Sequence, residues 1–335
     1  MARPTLIVCA GQELFASFFD SARQRRLSRL FQWERIGLRR LNHKFEKKLA
    51  NAQALITTWD SPRFDHNLSQ LAPRLRIVAH CGGEVKSRFE RSLFDQMTIT
   101  NSAGPMAKAT AELGAALLLY VARDVDSYRD RLRLRSNRIY KELHLHGAPE
   151  SLIGREVALI GLGRIGRALV DLMQGFELRW LVYYPYAPRS LATKYPIRFV
   201  NLPTLLSRGH LLVLTAALTE ETRGLLSRKR LAMLPRNAAI VNIARGGLVD
   251  LAALTEEVQR KRLRCALDVT DPFEPLPLTH PLRRLPGAIV TPHIAGSKRQ
   301  VRQEMAEVVL DDLERYFSGQ GVENRVTAKM LDRMT

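Results

Sequence analysis

Short runs of consecutive apolar residues alternate along this chain with stretches whose apolar positions recur every three or four residues. That is the pattern of parallel strands joined by helices. In the first hundred residues the strand-like runs are 5–9, 54–57, 76–79 and 98–100, and helical spacing covers 12–31 and about 41–50. The alternation restarts with runs at 157–161, 180–183, 211–215, 238–243, 265–269 and 288–291. Between the two sets, Pro105 stands ahead of a long helical pattern, 106 to about 125, whose interior is apolar on nearly every side. Such a helix is buried between two bodies, so a domain crossing is expected there. Residues 129–149 are polar and read as a connecting segment, and a last helix over 299–317 returns the chain to the first domain. The expectation is an α/β protein of two domains, residues 1–103 with 301–335 and residues 104–300.

At 335 residues, 46% hydrophobic and 25% charged, the composition is that of a globular protein and excludes long disorder. The longest uncharged apolar run, 113–122, has ten residues, against the roughly 20 that span a bilayer, so no membrane span is expected. The apolar stretch at 6–10 is too short for a secretory signal and reads as a first strand. Three scattered cysteines give neither a disulfide framework nor a thiolate metal site, so no metal and a reducing cytoplasm are expected. The net charge of +19 is unusual. It is spread along folding patterns: residues 1–50 hold 11 basic and 4 acidic side chains, and residues 301–335 hold 5 basic and 7 acidic. Solvated basic faces account for this better than a nucleic-acid surface.

Residues 157–170 contain Gly161-Leu-Gly163-Arg164-Ile165-Gly166, directly after a buried strand and opening an amphipathic helix. G-x-G-x-x-G in that context is a dinucleotide site. Gly161 permits the turn, Gly163 lets the main chain approach the pyrophosphate, and Gly166 lets helix and strand pack closely. The helix N-terminus then offers N–H groups to the diphosphate. An acid for the adenosine ribose is expected about 20 residues on. Tyr184 stands there instead, with Arg189 five residues further. The choice between NAD and NADP is thus open. NAD is favoured because no Lys or Arg immediately follows Tyr184.

Three more segments fall at strand ends: Asn242-Ile243-Ala244-Arg245-Gly246-Gly247, Asp268 through Glu274-Pro275-Leu-Pro277, and Thr291-Pro292-His293-Ile-Ala-Gly296. Alone, Arg245 reads equally as a surface arginine, Glu274 as a loop acid, His293 as a core histidine and Asp268 as a turn acid. In this order, with Leu218-Thr-Glu-Glu-Thr222-Arg-Gly224 and His280-Pro281-Leu282, the chain resembles the D-isomer-specific 2-hydroxyacid dehydrogenase family from about Arg76 to Gly296.

The resemblance implies a Rossmann NAD(P)-binding domain inserted in a flavodoxin-like substrate domain, with the active site in the cleft between them, and a homodimer. It implies that Arg245 binds a 2-keto acid and that His293, paired with Glu274, moves the proton that accompanies hydride transfer. Those residue types suit the task. A guanidinium stays charged and binds a carboxylate with two parallel hydrogen bonds. An imidazole exchanges protons near neutrality, and an acid beside it favours its charged form. By the same resemblance Arg164, Ile165, Ala217, Thr222, Ile243, Ala244, Asp268 and Gly296 attend the coenzyme, Asp268 near its nicotinamide amide. Gly82 and Gly83 offer main-chain N–H groups to the substrate carboxylate. Glu84 beside them repels an anion unless turned away, and Cys81 reads as a small packed residue. The chain departs from the family at Tyr184, at His210 and at Thr215-Ala216-Ala217, where His-x-Pro is usual. These departures support a second expectation, a non-catalytic dinucleotide-sensing protein of the kind that acts as a corepressor on this fold.

Overall fold

A computed structural model describes residues 3–37, 43–134, 151–186, 190–296 and 298–334. The chain divides into two compact units, Met1–Met106 with Ser297–Thr335, and Ala107–Gly296.

The first unit is built on β1 (Thr5–Cys9), β2 (Gln32–Ile36), β3 (Ala54–Thr57), β4 (Ile77–His80), β5 (Thr98–Asn101) and β13 (Arg325–Val326), in the order β13-β5-β4-β3-β1-β2. All pairs are parallel except β13 on β5. The five parallel strands follow the flavodoxin-like order 2-1-3-4-5. Strands β3 and β4 are buried along their whole length, which is why they read as continuous apolar runs.

The helical pattern over 12–31 breaks in two, Gln12–Phe18 and Ser21–Leu30. The Asp20 side chain accepts the Arg23 N–H at 3.0 Å and so caps the second helix. The last helix, Arg299–Phe317, has the bounds its pattern predicts and buries Met305, Val309, Leu310 and Leu313. Its exposed carboxylates take up part of the basic N-terminal face. Arg26 contacts Glu307 at 2.7 Å and Asp311 and Glu314 at 2.6 Å each.

The second unit carries seven parallel strands: β6 (Glu156–Ile160), β7 (Arg179–Tyr183), β8 (Ile197–Phe199), β9 (Leu211–Leu214), β10 (Ala238–Asn242), β11 (Leu263–Leu267) and β12 (Ala288–Val290). Their order, β12-β11-β10-β9-β6-β7-β8, is the doubly wound dinucleotide-binding arrangement extended by one strand. Because every pair is parallel, the turns after β6, β9, β10, β11 and β12 open at one edge of the sheet.

The helix Ala103–Ala122 begins three residues before the expected Met106. Pro105 lies inside its first turn, where a missing N–H costs nothing. Of the expected connecting segment 129–149, residues up to 134 belong to the helix Val125–Leu134 and the rest lies outside the described residues. Strands β2 and β8 were not expected. Both sit at sheet edges and are partly exposed, so neither has a continuous apolar run. All three cysteines are free and buried, and burial pushes the Cys9 and Cys265 thiols up to about 12 and Cys81 higher still. Among the described residues no helix is long and apolar enough to cross a membrane.

Candidate active site

The turn after β6 is shaped by its three glycines, each for a different reason. Gly161 has φ +93°, and a Cβ there would stand 2.6 Å from the main chain of Ala216. A Cβ on Gly166 would stand 2.6 Å from Gly161 O and 2.8 Å from Thr215 Oγ1. Gly163 differs, since a Cβ on it meets nothing within 4 Å. It is the N-cap of the helix Arg164–Leu172 and makes no side-chain cap. Open space at an uncapped helix N-terminus is the cradle a diphosphate needs, so these residues fit a dinucleotide.

Thr215, where the family pattern has histidine, donates its hydroxyl to Gly161 O at 2.7 Å and ties β9 to the glycine turn. Arg164 is exposed, and Ile165 packs on the core. Thr222 donates to Ala217 O at 2.7 Å and accepts the Thr219 N–H at 2.7 Å, so its hydroxyl shapes its own loop.

Tyr184 follows the last residue of β7 and packs partly buried against the core. Arg189 lies outside the described residues. The Tyr186 hydroxyl donates to the Glu221 carboxylate and joins the loop after β7 to the loop after β9, a pairing that no local pattern announces.

After β12, His293 Nδ1 lies 3.0 Å from Glu274 Oε2, with both side chains roughly half exposed. Taking Nδ1–H as the donor leaves Nε2 without a partner among the described residues. His293 has φ +52°, a left-handed conformation that costs a non-glycine residue roughly 1–2 kcal/mol. Asp268, which is 1% exposed, holds it there. Its carbonyl accepts the His293 N–H at 2.9 Å. Its carboxylate accepts the Thr291 hydroxyl at 2.6 Å, the Ile294 N–H at 2.9 Å and the Ala295 N–H at 3.0 Å. Expected beside the nicotinamide amide, Asp268 thus has most of its acceptor capacity engaged by the histidine turn. Gly296, which ends this turn, is buried.

The Arg245 turn after β10 is fixed in the same way. Asn242, 1% exposed, accepts the Ala244 N–H at 3.0 Å and donates to Arg245 O at 2.9 Å. Arg245 Nη1 donates to Ala244 O at 2.8 Å. A Cβ on Gly246 would stand 2.1 Å from the carbonyl carbon of Thr270, so the arginine turn lies directly on the loop that leads to Glu274. Ile243 and Ala244, expected at the coenzyme, are core positions, each 3% exposed. A Cβ on Gly114 would stand 2.5 Å from Ile243 Cδ1.

In the first unit, the loop after β4 departs from expectation at one of its two glycines. Gly82 N–H is engaged by Ser102 Oγ at 3.1 Å and His80 O at 2.9 Å, so it is no open donor. Gly82 is glycine because a Cβ would stand 2.2 Å from His80 Nε2. Gly83 N–H has no partner among the described residues. Glu84 accepts the Ser87 N–H at 2.7 Å and the Ser87 hydroxyl, which turns its charge onto its own loop. Among the described residues no group of three or more His, Cys, Asp or Glu could hold a metal ion.

Comparison with known proteins agrees with this layout. The family described as "D-isomer specific 2-hydroxyacid dehydrogenase, NAD binding domain" matches residues 115–295. A glyoxylate reductase of Pyrococcus horikoshii is 33% identical over 282 residues, covering 82% of each chain. The crystal structure of the TT0316 protein from Thermus thermophilus has a TM-score of 0.75 at 31% identity, covering 96% of this chain and 100% of that one. A glyoxylate reductase from Paecilomyes thermophila shares the fold, with a TM-score of 0.79 at 20% identity over 98% of this chain and 100% of that one.

Proposed function

With this chain a member of the D-isomer-specific 2-hydroxyacid dehydrogenase family, and so an NAD(P)-dependent oxidoreductase of 2-hydroxy acids, we propose that it works as a 2-keto acid reductase through His293, Glu274 and Arg245. The bound reduced coenzyme supplies the hydride. As negative charge grows on the substrate's carbonyl oxygen, His293 Nε2 delivers its proton there. Glu274 keeps Nδ1–H engaged, fixes the ring and balances the imidazolium. In the oxidative direction the neutral Nε2 takes the hydroxyl proton.

Arg245 binds the carboxylate and orients the carbonyl, a role that suits a planar guanidinium on a turn fixed at both ends by Asn242. Gly83 N–H takes a further substrate carboxylate bond. The observation that carries this reading is the 3.0 Å contact between His293 and Glu274 on a turn clamped by buried Asp268.

Arg245→Gln tests it by separating substrate binding from coenzyme binding. It is expected to raise KM for a short 2-keto acid by about 100-fold, the loss of one charge-assisted bidentate contact, with coenzyme affinity unchanged. A wild-type KM in this variant contradicts the assignment.

A further inference from the structure

We propose that the edge of the second unit's sheet where its strands begin is a binding surface for double-stranded nucleic acid, held through the phosphate backbone. All seven strands are parallel, so their first residues share one edge, opposite the turns that carry Gly163, Arg245 and His293. Six strands that are consecutive in the sheet have a basic residue at their start or shortly before it: Arg284 at β12, Lys261 at β11, Arg236 at β10, Arg208 at β9, Arg155 at β6 and Arg179 at β7. Along the sequence these residues are scattered from 155 to 284, where they read as solvated faces. Parallel pairing gathers them into one row.

Two segments concentrate the charge. Residues 228–237 hold four basic side chains and no acid, and residues 260–264 hold four basic side chains in five. The segments are packed together: the Asn237 N–H donates to Arg262 O at 2.8 Å, and the Arg262 guanidinium donates to Leu234 O at 2.9 Å and Leu231 O at 2.6 Å. Four acids at this edge already have partners. Glu256 pairs with Arg228 at 2.6 Å, Asp124 with Arg264 at 3.0 Å, Glu257 with Arg262 and Glu156 with Arg208. Lys229, Arg236, Lys261 and Arg284 are exposed and meet no acid among the described residues.

Five strand spacings of about 4.8 Å make the row about 24 Å long. That is the length of about seven base pairs of a duplex, at about 3.4 Å each. Guanidinium groups suit phosphate, which they bind with two parallel hydrogen bonds. A single strand needs rings on which its bases stack. Tyr186 and Phe273, the exposed aromatic residues of this unit among those described, follow β7 and β11 at the opposite edge.

The test titrates the full-length protein into labelled DNA and RNA duplexes of about 24 base pairs and arbitrary sequence, followed by fluorescence anisotropy. Four phosphates neutralised at this edge are expected to weaken binding about 100-fold between about 50 and about 200 mM salt. The triple variant Lys229→Glu, Arg236→Glu, Lys261→Glu is expected to lose at least about 100-fold in duplex affinity at the lower salt, with coenzyme Kd within about threefold as its control for folding. Arg25→Glu, Arg29→Glu, Lys47→Glu makes the same change in net charge at exposed positions of the first unit and is expected to stay within about tenfold of the wild type. Absence of binding to both duplexes overturns the proposal, as does binding that salt leaves unchanged. Equal losses in the two triple variants place the effect in net charge and overturn it too. So does tighter binding to a single strand of the same length or to phosphatidylserine vesicles. If the first triple variant does not fold, Lys261→Gln with Arg236→Gln decides by the same comparison.

Discussion

The main-chain N–H of His293 donates to the carbonyl of Asp268 at 2.9 Å, and the Asp268 carboxylate takes the next two N–H groups of the same turn. One buried residue thereby fixes the imidazole in a conformation it would not adopt unaided. Each hydrogen bond to a charged acceptor contributes roughly 1.5–3 kcal/mol, which exceeds the local conformational cost. Asp268→Asn turns one acceptor oxygen into a donor facing an N–H. It is expected to lower kcat by about 100-fold and stability by about 2–3 kcal/mol, with coenzyme affinity within about threefold. Steady-state kinetics, a denaturant titration and nicotinamide fluorescence check the three parts.

The glycines of the turn after β6 separate a packing role from a ligand role. Gly163→Ala places its methyl in open space, so the melting temperature is expected to hold within about 2 °C while the coenzyme Kd rises at least about tenfold. Gly166→Ala drives a methyl to 2.6 Å from Gly161 O and is expected to lower stability by about 1–3 kcal/mol. Thermal melts and fluorescence titrations of the two variants, run side by side, check the contrast.

Acid sensitivity of the first unit is expected from His80. Burial, and secondarily the charge of Arg88, pushes its imidazole down to about 3, and its Nδ1 lies 2.9 Å from Thr57 Oγ1. The unfolded chain takes up that proton near pH 6.5, while the folded chain refuses it until about pH 3. The unfolded state therefore binds more protons across this window, and stability falls with falling pH by up to about 1.4 kcal/mol per unit. His80→Gln removes the titration. Its melting temperature, followed from pH 7 to pH 4, is expected to decline less steeply than that of the wild type.

Much of this arrangement was legible in the sequence where the signal is local. The helix Arg299–Phe317 announces itself by period, the strand Thr5–Cys9 by its apolar run, and Gly161, Gly163 and Gly166 by spacing between a strand and a helix. The break at Asp20 was hidden because the apolar period runs through it, while the backbone leaves helical geometry at Phe19 and the Asp20 side chain caps a new helix on Arg23 N–H. Roles set by distant partners were not legible. Asp268 reads as any acid after a strand until the turn 23 residues later closes on it. The bond from Gly82 N–H to Ser102 spans 20 residues.

The most direct test of the account compares the wild type with His293→Asn in the coenzyme-dependent reduction of glyoxylate, followed by loss of nicotinamide absorbance with coenzyme binding measured in parallel. Removal of the proton donor is expected to leave coenzyme Kd within about threefold and to lower kcat by about 100- to 10,000-fold. A His293→Asn variant that reduces glyoxylate as fast as the wild type would contradict the central assignment.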